Sequence, residues 1–298
     1  MKKKSSLINY SKISTKFTQY SLFLMLIIFA ALVTRFYFFP FEIPITSDAL
    51  NYFWFSSDIY QIGKLPTVVF FISNSKDVFS LIEIQKIFSV LISISITIPV
   101  YFLCKKFVQR KFALIGSVII AFDPRLMINS FLGVTDPLFL LLSVTSLVLF
   151  LYSNKKTVYL SFVIVALSAL VRTEGIAIFL VLSIMFFIKY RKENYKLIFI
   201  SVYRIDVTGN DYLFQRGLRH MDQISSNEGY SDKLFEGLET FSKYLIWVLI
   251  PNFIIFIPFG IFLIFRKLNI DKITIISSLI ILSLPALYGY TLSALDTR

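Results

Sequence analysis

The stretch YSLFLMLIIFAALVTRFYFFPFEIPITSDALNYFWF, Tyr20 to Phe55, decides the fold class. Its first part, Tyr20–Phe39, is a long apolar run. It is as long as the roughly 17–25 residues that a helix needs to span a bilayer. Pro40 and Pro44 then lead the chain out of the run, and Asp48 follows at once, set among Tyr52, Phe53, Trp54 and Phe55. The stretch reads as a membrane span that ends beside an acid under aromatic cover.

The rest of the chain fits a lipid environment. Of 298 residues 56% are hydrophobic, and the mean hydropathy is +0.74. Phe alone occurs 33 times. A soluble domain carries far less apolar surface. The net charge of +12 is what Lys- and Arg-rich cytoplasmic loops produce, so no nucleic-acid partner is expected. A single cysteine, Cys104, rules out an internal disulfide, and a single His220 rules out a multi-histidine metal site. The basic start MKKKSSLINYSKISTKF has no small-residue cleavage signal after it, so the first apolar run reads as an uncleaved helix.

Further spans are expected at Ile82–Cys104, Tyr244–Phe265 and Ile273–Leu295, with shorter ones at Phe112–Phe122, Pro137–Tyr152, Val158–Val171 and Ile176–Ile188. A last segment, Leu197–Tyr203, offers only about 10 Å of helix against a core of about 30 Å. The expected fold is all-α: a polytopic bundle of about nine spans in one transmembrane domain over 1–298. It has a basic cytoplasmic N-terminus (1–19), an extended first outside loop (40–81) and an amphipathic outside loop of surface helices (205–243). In that loop Leu213, Gly217, Leu218, Met221 and Ile224 recur at helical spacing, as do Leu234, Leu238 and Phe241.

Charge tests this map. With the N-terminus inside, the inside face collects Lys2, Lys3, Lys4, Lys12 and Lys16, then Lys105, Lys106, Arg110 and Lys111, then Lys155 and Lys156. It also takes Lys189, Arg191, Lys192 and Lys196, and finally Arg266, Lys267 and Lys272. The positive-inside rule holds throughout. Of 18 acids only Glu193 and Asp271 fall inside. That rule does not require acids to segregate, so the outside face reads as the working face.

Three constellations there could carry chemistry. Asp48 precedes Asn51, Tyr52, Phe55 and Ile59 at helical spacing, which suits an N-cap; it also suits a general base for an acceptor hydroxyl. In AFDPRLMINSFLGVTDPLFLLL, Ala121 to Leu142, two Asp-Pro pairs mark helix boundaries. There Asp136 can cap a helix starting at Pro137, and Arg125 can pair with Asp123 or with a phosphate. In ALVRTEGIAIF, Ala169 to Phe179, Arg172 and Glu174 break the apolar sequence for only four residues. They suit a structural ion pair or a lipid-linked phosphate, and Gly175 would let the turn run tight. Glu83 and Lys86 open the second span on the same face, and Asp296 and Arg298 end the chain past the last one. No Walker-type loop and no Cys/His metal spacing occurs.

Taken together, these residues resemble an integral-membrane glycosyltransferase of the C-type fold, most of all the dolichyl-phosphate-mannose protein mannosyltransferase group and its prokaryotic relatives. The likeness rests on order over nearly the whole chain: Asp48 and then YQIGKLP, TDPLF at Thr135–Phe139, LVRTEG at Leu170–Gly175, and a late DTR. It implies inverting transfer of a mannose-like hexose from a polyprenyl (dolichyl) phosphate donor to a protein or glycolipid acceptor. It places the enzyme in a cell membrane, multi-pass, with its active face outside. It makes Asp48 the catalytic base, Arg125, Arg172 and Arg298 the donor-phosphate ligands, and Glu83, Asp136 and Glu174 site-lining residues. No cofactor is required; a divalent metal is compatible with the chemistry but not indicated. The chain departs from the family in having Asp48-Ala49 where two adjacent acids are common, and in stopping where relatives continue. A lipid-linked saccharide flippase and a non-catalytic subunit of a membrane complex are the alternatives.

Overall fold

Apolar runs bounded by Pro, Gly and charge fold as helices, and every element among the described residues is helical. The structure, a computed structural model, describes residues 3–39, 78–152, 154–172, 174–190, 235–243, 262, 265 and 268–291. Contacts group the chain into two compact units, Met1–Val148 and Leu149–Arg298.

In the first unit, helix α1 runs from Lys3 to Tyr37, so the basic N-terminus continues the first span as helix. It stops where Pro40, lacking an N–H, could not extend it. Leu22, Met25, Leu26, Phe29 and Val33 stay exposed, as a lipid-facing surface would be. Ala31 and Arg35, one turn apart, are buried on the opposite face. That face packs against α2 (Val78–Ser95) and α4 (Arg110–Ala121). After α2, only Ile96 interrupts before α3 (Thr97–Phe107). Pro99 cannot donate to the Ser95 carbonyl, which separates the two helices. The α3–α4 hairpin closes tightly, with Gly116 against Cys104.

Between the two Asp-Pro pairs lies a helix not expected from the sequence, α5 (Pro124–Phe131), bent 46° from α4. Pro124 fits the first helical turn, where its missing N–H costs nothing. Each Asp-Pro does mark a boundary as expected, and the residues between them are helical. Leu126, Ser130 and Phe131 face inward, and α5 packs on α2. Phe131 meets Phe39 edge to face at 5.9 Å, over Val90 and Ile94. Gly133, at φ 69°, turns the chain into α6 (Asp136–Leu151). The left-handed conformation there is nearly free of strain only for glycine.

In the second unit, α7 (Lys155–Val171) and α10 (Ile270–Thr291) both pack on α8 (Gly175–Lys189). The core is aromatic: Phe162 stands edge to face with Phe179 and Phe186, both at 5.7 Å. Helix α9 covers 235–243, inside the loop expected to be amphipathic. Phe235 and Leu238 on it are exposed, as the apolar side of a surface helix is before a membrane covers it.

Among the described residues two segments are long and apolar enough to cross a membrane, Gln19–Tyr37 and Glu83–Phe107; the bent α4–α5 pair, taken as one broken span, makes three. The shorter apolar helices α6, α7 and α8 coincide with three of the expected short spans.

Candidate functional site

A polar corner forms where α2 meets the C-terminal part of α5 and the turn into α6. Asp123 caps α5 through its Oδ1, which accepts from the Leu126 N–H at 2.7 Å. Such a bond satisfies one of the orphan donors of a helix start. Arg125, in the first turn of α5, is exposed. One helical face further on, Asn129 donates through Nδ2 to Asp136 Oδ2 at 3.2 Å. Asp136 opens α6, and its carboxylate is turned at least partly toward α5. From α2, Gln85 Nε2 donates to the Gly133 carbonyl at 3.1 Å. That bond ties the start of α2, where Glu83 is exposed, to the turn that presents Asp136. Three of the expected site residues, Glu83, Arg125 and Asp136, therefore lie on elements held at one corner of the first unit.

The first unit also buries two cations that the sequence did not mark as core residues. Arg35 is 1% exposed and so is Lys86. Arg35 Nη1 donates to the Ala121 carbonyl at 2.6 Å, the last residue of α4, and Nη2 donates to Ser93 Oγ at 3.3 Å. Its Nε has no partner. Lys86, Ser89 and Ser93 on α2 and Thr97 at the start of α3 follow at spacings of three and four, all buried, so the inward face of this span carries a polar stripe. Ser89 Oγ and Thr97 Oγ1 are also without hydrogen-bond partners. Ionisable groups within spans are costly and face the interior when present. A scan for charge inside the first apolar run would have marked Arg35; averaging over the run concealed it.

In the second unit Arg172 and Glu174 meet each other. The guanidinium grips the carboxylate by two bonds, Nη2 to Oε1 at 2.9 Å and Nε to Oε2 at 3.3 Å. Of the two readings open in the sequence, the structural pair is the geometry observed. Gly175 permits it: a Cβ there would lie 2.4 Å from the Ala169 nitrogen.

A second ion pair joins the C-terminal turn of α8 to the first turn of α10, Lys189 Nζ to Asp271 Oδ1 at 3.1 Å. The ammonium also stands 5.7 Å from the Phe150 ring centre. Each charge sits at the helix end whose dipole favours it. The side chains are only 18% and 17% exposed, so removing one partner strands a largely desolvated charge. Asp271→Asn should cost about 1–3 kcal/mol, and Lys189→Met with Asp271→Leu less than the sum of the single changes. Denaturation midpoints of the four proteins check the cycle. On α9, the exposed Glu239 and Lys243 bond at 2.6 Å. That hydrogen bond holds the Glu239 carboxyl below its ordinary range and the Lys243 ammonium above its own.

Asp48 and Arg298 lie outside the described residues, as does Leu197–Tyr203. Among the described residues no three His, Cys, Asp or Glu side chains gather closely enough to hold a metal ion. No protein-family model, no curated protein and no solved structure matches the chain.

Proposed function

We propose that this protein is a polytopic membrane glycosyltransferase that moves a hexose from a polyprenyl-phosphate donor to a protein or lipid acceptor on the outer face. The observation that carries the reading is the polar corner. Glu83 and Arg125 stand exposed on elements that Gln85 and Asn129 tie to the turn bearing Asp136, at the mouth of otherwise apolar helices. A lipid-linked donor is insoluble in water, so its chemistry belongs at such a mouth. In the proposed step an acceptor hydroxyl attacks the anomeric carbon as the carbon–oxygen bond to phosphate breaks. The hydroxyl proton passes to Asp48, the polyprenyl phosphate departs, and configuration inverts. Arg125, exposed in the first unit, is the described cation offered to the phosphate; Arg172, in the second, is engaged by Glu174.

The Lys189–Asp271 pair lends support to the topology. It sets the end of α8 level with the start of α10. If both helices span, the chain crosses an even number of times between them, as a shared inside location requires. It also gives Asp271, one of the two acids expected inside, a cationic partner.

A flippase for a lipid-linked saccharide is the second reading, favoured by charge inside spans. Arg35 and Lys86 are such charges, but each lies within a turn of its span's end. Charge confined to one face suits transfer rather than passage.

Membranes containing the protein, given a radiolabelled polyprenyl-phosphate hexose, should label an acceptor. Asp48→Asn should slow labelling by about 10²–10⁴-fold, the usual contribution of a general base. Full-rate transfer by the variant removes Asp48 from the mechanism. Movement of the labelled lipid across sealed vesicles without transfer replaces the enzyme with the flippase.

A further inference from the structure

The α3–α4 hairpin ends in KKFVQRKF, Lys105 to Phe112, a tip holding four cations and no acid. Phe107, Val108 and Phe112 on the same tip are exposed at 36%, 47% and 51%. Lys105 Nζ stands 5.4 Å from the Phe102 ring centre, and Lys111 Nζ 4.8 Å from that of Phe112. The cations and the aromatics are therefore interleaved. Glu83–Phe107 has 25 residues, about 37 Å of helix against a hydrocarbon core of about 30 Å. At the usual tilt of about 20° this segment is longer than the hydrocarbon is thick, and the tip follows directly on its C-terminal end.

Helix electrostatics accounts for half of the charge. Lys105 and Lys106 sit in the last turn of α3, where the dipole favours cations. Arg110 and Lys111 open α4, which has no acid in its first turn, and there the dipole disfavours them. Water-exposed Phe and Val beside such a cluster gain nothing from solvent. Phosphate headgroups with acyl chains beneath them satisfy both sets of groups at one depth.

We propose that the α3–α4 tip is a docking surface for anionic phospholipid headgroups, anchoring the first unit to the leaflet it faces. The surface binds the phosphodiester through its four cations while Phe107, Val108 and Phe112 enter the headgroup–acyl boundary.

The test uses the full chain in nanodiscs of phosphatidylcholine alone or mixed with phosphatidylglycerol, with lysine acylation read residue by residue by mass spectrometry. Lys105, Lys106 and Lys111 should react at least about fivefold more slowly in the anionic discs. The difference should vanish near 0.5 M salt, roughly, where screening is short-ranged. Lys106→Gln with Arg110→Gln, at unchanged elution volume, should restore much of the reactivity of Lys105 and Lys111. Equal rates in the two discs overturn the proposal. So does protection that survives salt, which is burial rather than charge, or equal protection by inorganic phosphate in neutral discs.

Discussion

Alanine at Gly175 should pull α8 away from α7. The new Cβ would sit 2.4 Å from the Ala169 nitrogen, 2.6 Å from its Cα and 2.6 Å from the Ser168 carbonyl carbon. All three are backbone atoms of α7, so no side-chain rotation can clear them. The connection is only three residues long, Arg172 to Glu174, and its ends are fixed by hydrogen bonds from Arg172 N to Ser168 O and from Gly175 N to Arg172 O, both 3.0 Å. Room can come only from moving a helix that buries Ile178, Val181, Leu182 and Phe186 along its length. Overpacking typically costs 1–3 kcal/mol; here the rigid obstacle puts Gly175→Ala at about 3 kcal/mol, and valine higher. Gly116 supplies the control. Its Cβ would also be too close, 2.6 Å, but to Cys104 Sγ, the end of a side chain that can turn away. Gly116→Ala should therefore cost about 1 kcal/mol or less, and Cys104→Ala should erase even that. Thermal midpoints in detergent read the order. Equal losses for the two glycines would show that close backbone approach is not what Gly175 provides.

What was legible in the sequence was what local chemistry dictates. Long apolar runs became helices, Asp-Pro became two helix boundaries with Asp123 as a true cap, and Gly175 before an apolar run became a tight helix–helix turn. What was not legible depends on partners far along the chain. Arg35 lies in a run whose hydropathy hides one cation, and its acceptor is 86 residues away. Asp271 stood out as an inside acid, but its lysine is 82 residues away. Helix α5 is hidden for a different reason: Asp-Pro pairs on either side signal breaks so strongly that the eight residues from Pro124 show no element of their own. The proposed site divides in the same way. Glu83, Arg125 and Asp136 share a corner because Gln85 and Asn129, ordinary amides with no motif around them, tie the pieces together. Arg172 and Glu174 had two readings of equal chemical merit, and only distance chose the ion pair.

Methionine at Arg35 should destabilise the α4–α5 break specifically. The break exists because Pro124 offers no N–H to Ile120 and α5 starts afresh at an angle of 46°. Each side of it is then left with unsatisfied backbone groups, which in a membrane protein are tolerated only where protein satisfies them. Asp123 serves the α5 side through the Leu126 N–H. Arg35 serves the α4 side through the Ala121 carbonyl, at the helix end whose dipole attracts a cation. Methionine keeps most of the volume but orphans that carbonyl and frees Ser93, at about 1–3 kcal/mol for a buried unsatisfied group. Relief of the buried guanidinium's desolvation works the other way, and its unpartnered Nε shows that the charge is not fully repaid by bonds. The net loss should be about 2 kcal/mol. Generic loss of packing would give a similar figure, so the discriminating variant is Pro124→Ala. With an N–H restored at 124, α4 can continue toward α5 and satisfy its own carbonyls. Arg35→Met should then cost at least about 1 kcal/mol less in the Pro124→Ala background than in the wild type. If the two costs are equal, Arg35 fills space rather than closing the end of α4. If the protein transfers sugar as proposed, the same cycle bears on that activity: Asp123, Arg125 and Asp136 all follow the break, so transfer should fall with Arg35→Met through the position of α5, while Arg35→Lys, able to reach the Ala121 carbonyl with one donor, should keep more of it.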